Sequence, residues 1–336
     1  MNNFKKIGMT ALAASLVSTS VFAGELAVTG SAGINYENYK ADTTGEAASA
    51  GTKAFSMGNQ ITFSGSGELD NGLTVSLSFV IDEFDNANAS SVANAGSIFD
   101  GHSVTVSSDA MGTLKFSGEG GSAAQAAINT TAAGDIWDLW DGRAGATSKM
   151  KESRGANNMF NYTLPTMVDG LAISTSYTPA AGNDESDTSY SLSYTGVEGL
   201  TASYGVGSND AQAAGAGGSA TNADATTMSL AYVYGPVTVA YSDHEFDSNT
   251  ATADLDVTSY KVSYTVSDAI SISYGEEEVD SGTANDQDAK YSKISASYTA
   301  GGMTVSGNMS EMENGDFSTS AAADEEYVGL SVSFAF

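Results

Sequence analysis

The 336-residue chain has no cysteine, three prolines, two histidines and only 12 lysines and arginines. Without cysteine there are no disulfide frameworks, thiolate zinc sites or cysteine nucleophiles. The few basic side chains face 41 acidic ones, for a formal net charge of −29. So acidic a surface repels phosphate backbones and argues against a nucleic-acid partner. Long apolar runs are missing too. Beyond the N-terminus none approaches the roughly 18 residues of a membrane-spanning helix, which excludes a helical membrane protein.

What is present begins with a leader. Lys5 and Lys6 give residues 1–23 a positive start, Ile7 to Val17 form a short apolar core, and Val21-Phe22-Ala23 supplies a small-residue cleavage site. This is the pattern of a cleavable signal peptide rather than a membrane anchor, and it predicts a mature chain of 24–336 that works outside the bacterial cytoplasm.

From there the chain alternates apolar and polar residues, the signature of half-buried strands. Leu73, Val75, Leu77, Phe79 and Ile81 are apolar with Thr74, Ser76 and Ser78 between them, and the chain closes on Val328, Leu330, Val332, Phe334 and Phe336. Sixteen such segments are predicted: 26–36, 54–69, 73–81, 102–108, 112–118, 157–164, 171–177, 188–195, 200–206, 226–234, 237–242, 257–266, 270–275, 290–298, 303–309 and 327–336. Tight turns such as Asp70-Asn71-Gly72 and Gly235-Pro236 alternate with eight longer links, and Pro165, Pro179 and Pro236 all fall outside the strands, where a missing donor breaks no ladder. Strict short–long alternation predicts an all-β fold: a closed antiparallel transmembrane barrel with short periplasmic turns and long external loops. Closure is required because lipid leaves no partner for a free sheet edge. The in-between residues are mainly Ser, Thr, Gly and Asn, too small and polar for a packed interior, so they predict a water-filled lumen. Tyrosine and phenylalanine gather at both strand ends, as interfacial girdles do. Tyr291 and Tyr327 break the outward parity, which predicts a bulge or a rim position there.

The predicted strands leave most carboxylates in the long links. Asp243, Glu245 and Asp247, Glu276-Glu277-Glu278 with Asp280, and Asp324-Glu325-Glu326 are placed at the outer mouth, to concentrate cations or to hold calcium that bridges lipopolysaccharide. No loop has the spacing of a calcium-binding hand, and no cofactor is implied. The longest link, 119–156, is too long to be a mere connection. Asp135, Asp138 and Asp141 recur there at three-residue spacing, interleaved with both tryptophans of the chain, Trp137 and Trp140. A helical turn would put the acids on one face. The tryptophans would then anchor the loop to the inner wall as a pore constriction. Its positive side would come from Arg143, Lys149, Lys151 and Arg154 in the same loop and from Lys115, Lys261 and Lys293 at inward strand positions, giving a transverse field.

The leader, the opening Glu25-Leu26-Ala27-Val28-Thr29-Gly30, the Asp-Asn-Gly first turn, Met111 to Phe116, Asn161-Tyr162 and the terminal Phe336 together resemble a general porin of the Gram-negative outer membrane, of the sixteen-stranded type. The resemblance implies a homotrimer with one passive diffusion pore per subunit, narrowed by the third loop, and a role for Phe336 as an assembly signal. Such porins carry a wall cluster of arginines facing the acidic loop. Here only Arg143 and Arg154 exist, and lysines are a weaker substitute, which favours mild cation selectivity. The expected contacts are membrane lipid, lipopolysaccharide, ions and small hydrophilic solutes.

Other functions read less well. The two histidines, His102 at a strand rim and His244 beside Asp243 in a predicted loop, have no nucleophile motif near them, which argues against an enzyme. An adhesin or surface-binding barrel would need no constriction loop. A solute-specific channel would show a slide of inward aromatics, whereas the inward positions are mainly small and polar.

Overall fold

The computed structural model describes residues 26–41, 53–82, 99–140, 151–180, 185–210, 222–249, 254–283, 286–318 and 324–336. The leader 1–23 lies outside them, as do Asp141, Arg143 and Lys149. The strands are β1 (Leu26–Ala41), β2 (Lys53–Glu68), β3 (Thr74–Asp82), β4 (Phe99–Ser108), β5 (Gly112–Glu119), β6 (Met159–Thr163), β7 (Leu171–Thr178) and β8 (Asp187–Tyr194), then β9 (Leu200–Ser208), β10 (Ala223–Tyr234), β11 (Val237–Ser248), β12 (Leu255–Ser267), β13 (Ile270–Asp280), β14 (Ala289–Ala300), β15 (Met303–Glu313) and β16 (Glu325–Ala335). Each pairs antiparallel with its neighbours in chain order, and β1 closes on β16 to complete the barrel. The terminal residue tightens that seam: Gly30 N–H donates to the Phe336 carbonyl at 2.7 Å, and Phe336 N–H donates to the Gly30 carbonyl at 2.9 Å. No edge strand remains, as a sheet in lipid requires.

The outer wall is apolar in the way only lipid makes favourable. Leu77, Leu192, Leu230, Val262 and Ile272 all stand exposed on it, and a soluble barrel would not leave so much apolar side chain in water.

The strands end where the sequence predicts on the short-turn side but run further on the other. β11 continues to Ser248, β13 to Asp280 and β15 to Glu313. The acidic groups assigned to links at Asp243–Asp247 and Glu276–Asp280 therefore lie on strands, not loops. Polarity reverses along these strands. In β12, Tyr260, Val262 and Tyr264 face out, while further up Asp256 and Thr258 face out and Leu255, Val257 and Ser259 are buried inside. In β11 the buried residues are Ser242, His244 and Phe246, flanked by exposed Asp243, Glu245 and Asp247. Beyond the bilayer the outer face meets water and prefers charge, and the inner face there is covered by protein.

That inner cover is an apolar cluster. Ala225, Phe246, Leu255, Val257, Val279, Ala289, Tyr291, Met312 and Tyr327 line it from the wall, and Ala133, Ile136 and Trp140 reach it from the long third loop. Tyr291 and Tyr327 thus point inward in unbroken register. Of the two alternatives read from the sequence, a bulge or a rim position, the bulge is absent at both. They are core residues, and the lumen beside β10–β16 is packed rather than watery at this level.

Candidate functional site

The third loop is strapped along the inside of the wall by its own backbone. Inward positions on successive strands carry short hydroxyl side chains, and the loop's amides donate to them in turn. Ala124 N–H reaches Ser176 Oγ on β7 at 3.0 Å, and Gln125 N–H reaches Ser189 Oγ on β8 at 2.7 Å. Ala132 N–H reaches Ser242 Oγ on β11 at 2.7 Å, and Ala133 N–H reaches Ser259 Oγ on β12 at 2.9 Å. Each contact satisfies an amide that would cost about 1–3 kcal/mol if buried without a partner. Close approach also needs missing side chains. A Cβ at Gly205 on β9 would come within 2.8 Å of Ile128, and one at Gly275 on β13 within 2.7 Å of Ala133.

The strap ends in a single 3-10 turn, Ile136–Trp140. Asp135, just before the turn, and Asp138 within it are both exposed. Asp135 adopts a left-handed backbone, φ 48°. Thr131 Oγ1 steadies it twice, accepting its N–H at 2.6 Å and donating to its carboxylate at 2.8 Å. Glu277, buried on β13, caps the turn by accepting the Ile136 N–H at 2.9 Å and the Trp137 N–H at 3.1 Å. An anion at the positive N-terminal end of a helical turn is favoured electrostatically. Of the three consecutive glutamates, then, the middle one leaves the acidic rim for the interior. Trp140 is fully buried, 5.6 Å from the ring of Tyr291 and 6.3 Å from that of Tyr327. Trp137 packs against the same cluster from its edge. Tyr39 OH donates to the Leu139 carbonyl at 2.7 Å and ties the turn to β1.

Among the described residues, the predicted cations other than Lys115 do not face the acids from across the lumen. Lys293 on β14 donates to the Gly134 carbonyl at 3.2 Å, and Lys261 on β12 and Lys293 are both register partners of Gly275, against which Ala133 presses. These two lysines therefore stand on the acids' own side. Arg154 is also absent from an opposing wall: it donates to Asp187 Oδ2 at 3.0 Å and to the Glu185 carbonyl at 2.9 Å, fastening the returning limb near β8. Lys151 offers its carbonyl to His244 at 2.7 Å, and its ammonium sits 5.5 Å from the ring centre of Phe246. Lys115 alone lies on the far wall, in a recess of about 260 Å³ with Ser78, Ser103, Ser117 and Glu119.

The inner face of β16, β1, β2 and β3 forms a polar furrow of about 320 Å³. Its lining includes Ser31, Gly33, Asn35, Gln60, Asp82 and Ser333. Among the described residues, Asp82 is its one charged group. In the returning limb, Glu152 has its carboxyl pushed up to about 7 by burial, with the nearby Asp135 adding to the shift.

Sequence reasoning missed the hydroxyl track, Glu277 and His244. His244 is not in a loop beside Asp243 but is a fully buried, inward residue of β11. His102 lies within β4, 3.8 Å from the Glu119 carboxylate. Among the described residues no three acidic or histidine side chains converge in a way that would hold a metal ion.

A sequence model described as Gram-negative porin matches residues 8–316. No curated protein matches the chain significantly. Solved structures with the same fold include an anion-selective porin from Comamonas acidovorans at 16% identity and TM-score 0.65, the match spanning 93% of this chain and all of that one. A mutant of Rh. blastica porin is similar at 17% identity and TM-score 0.60, with the same coverage. A loop L8 deletion mutant of OmpT, an outer membrane protein of Vibrio cholerae, is similar at 13% identity and TM-score 0.61, covering 94% of this chain and all of that one.

Proposed function

From the premise that the chain belongs to the Gram-negative porin family, a family of outer-membrane channels for solute diffusion, we infer that it is a passive, non-enzymatic pore for ions and small hydrophilic solutes. The third loop constricts it, and the pore favours cations mildly. One observation carries this reading: the loop runs along the wall on a track of hydroxyls and leaves Asp135 and Asp138 exposed, while the polar furrow on β16 to β3 holds Asp82. Exposed carboxylates in a lumen raise the local concentration of cations. Lys115, Lys261 and Lys293 temper the preference without reversing it, because Lys293 stands close to Glu277 and Asp135. The anion preference named for the Comamonas porin belongs to that protein, and at 16% identity the likeness extends to the fold.

A homotrimer in lipid and lipopolysaccharide, export by residues 1–23, and use of Phe336 as an assembly signal complete the reading. Liposome swelling with uncharged sugars of graded size tests the pore directly. Swelling that falls off smoothly with solute size is the expected result. Liposomes that hold the folded barrel yet do not swell in any sugar would favour a surface-binding barrel instead.

A further inference from the structure

The peptide that joins Gly134 to Asp135 is gripped at both ends. Its carbonyl accepts from the Lys293 ammonium at 3.2 Å, and its N–H donates to Thr131 Oγ1 at 2.6 Å. Both residues flanking it are left-handed, Gly134 at φ 90° and Asp135 at φ 48°. Glycine adopts that conformation freely, whereas for aspartate it is strained. Strain of this kind persists only where the surroundings hold it. Lys293 is placed to do so: its register partner on β13 is Gly275, the position against which Ala133 of the loop presses. Glu277 and Asp135 draw its ammonium toward the loop, and Lys261 repels it from β12.

Turning this one peptide over changes the ψ of Gly134 and the φ of Asp135, and would return Asp135 to the ordinary region. The turn also exchanges what faces Thr131. Its hydroxyl accepts the Asp135 N–H and spends its single proton on the Asp135 carboxylate, at 2.8 Å. With the peptide reversed, the Gly134 carbonyl would stand in place of the N–H. A carbonyl can only accept, so the hydroxyl proton would go to it and the carboxylate would be let go. Glu277 stands within reach of the same hydroxyl, so the hold on Asp135 depends on the peptide keeping its orientation.

We propose that Lys293 is a positioning residue for the constriction: by gripping the Gly134 carbonyl it keeps this peptide turned so that Thr131 holds the Asp135 carboxylate in one place. The inference rests on the channel reading above, since the charge it steadies is one read as favouring cations. Amide hydrogen exchange over residues 131–140 of the folded barrel, read by mass spectrometry, tests it without any current. In Lys293→Met one amide of that segment, that of Asp135, should exchange at least about tenfold faster than in the wild type, as expected for loss of a charged hydrogen bond. Lys261→Met removes the same charge from the neighbouring strand and should exchange as the wild type does. So should Lys293→Arg, which keeps a donor. Adding Asp135→Gly to Lys293→Met should slow the exchange again, because glycine is at ease in the left-handed region. Wild-type exchange in Lys293→Met, equal acceleration in Lys261→Met, or no recovery with glycine would each overturn the proposal.

Single-channel recording gives the second arm. Lys293→Met should switch between two open levels, one for each orientation of the peptide, where Lys261→Met holds one. A single steady level in both variants would overturn the assignment. Absence of current in the wild type would instead count against the channel reading, and the exchange of the Asp135 amide would still decide the role of Lys293.

Discussion

Asp135 combines a left-handed backbone, two bonds to Thr131 and an exposed carboxylate, so charge can be tested there without moving the chain. Asparagine tolerates the left-handed region, and the Asp135→Asn, Asp138→Asn double variant should fold as the wild type does. Its reversal potential in a KCl gradient should move toward zero, because two of the carboxylates edging the lumen are gone. An unchanged potential would place selectivity elsewhere. Glu152 adds a pH dependence of known sign. Its carboxyl, ordinarily at 4.5, is raised to about 7 by burial and then by Asp135. The folded state thus prefers the neutral acid: stability is full below about 4.5 and is partly lost as the pH rises to about 7. Cation preference follows the same charge in the opposite sense. It should weaken between about pH 8 and pH 6 as Glu152 takes up its proton, and this drop should vanish in Glu152→Gln. Reversal potentials measured across that window check it.

The third loop is held by elements that the sequence only partly reveals. Period-two alternation and the turn residues made the sixteen strands legible, because lipid outside and water inside impose opposite demands on alternate residues. The same rule hid what lies above the bilayer. There Asp243-His244-Glu245-Phe246-Asp247 still alternates, but with charge outward, so the stretch read as a loop. The tryptophan pair and the acids at three-residue spacing pointed to the turn at 136–140. The hydroxyl track did not stand out, since Ser176, Ser189, Ser242 and Ser259 look like any lumen-facing serine until the loop's amides are seen to meet them. Nor did anything mark Glu277 apart from Glu276 and Glu278 except its odd position on an inward parity. Two predictions belong at this scale. Trp140→Ala should cost about 3–5 kcal/mol of loop docking, visible as proteolytic cleavage within 119–156 while the barrel stays resistant. Glu277→Ala should strand two amides and a buried end of the turn, at about 1.5–3 kcal/mol for each charged hydrogen bond lost. Noisy, multi-level current should result, with Glu277→Gln milder, and steady wild-type current from Glu277→Ala would mean that the turn does not depend on its cap.

At the scale of the whole molecule, the barrel separates two environments inside itself. The β10–β16 side is filled by the loop and its apolar cluster, and a polar furrow lies on β16, β1, β2 and β3. The chain lacks arginine on the described far wall, and its remaining cation there is Lys115, in its own recess beside Glu119. The central claim, an open diffusion channel that favours cations, is tested most directly by single-channel conductance of the purified protein in planar bilayers, with the reversal potential read under a KCl gradient. Large stepwise conductance with a cation-favouring potential is the predicted result. Folded barrels that insert without conducting, or that conduct with an anion-favouring potential, would contradict it.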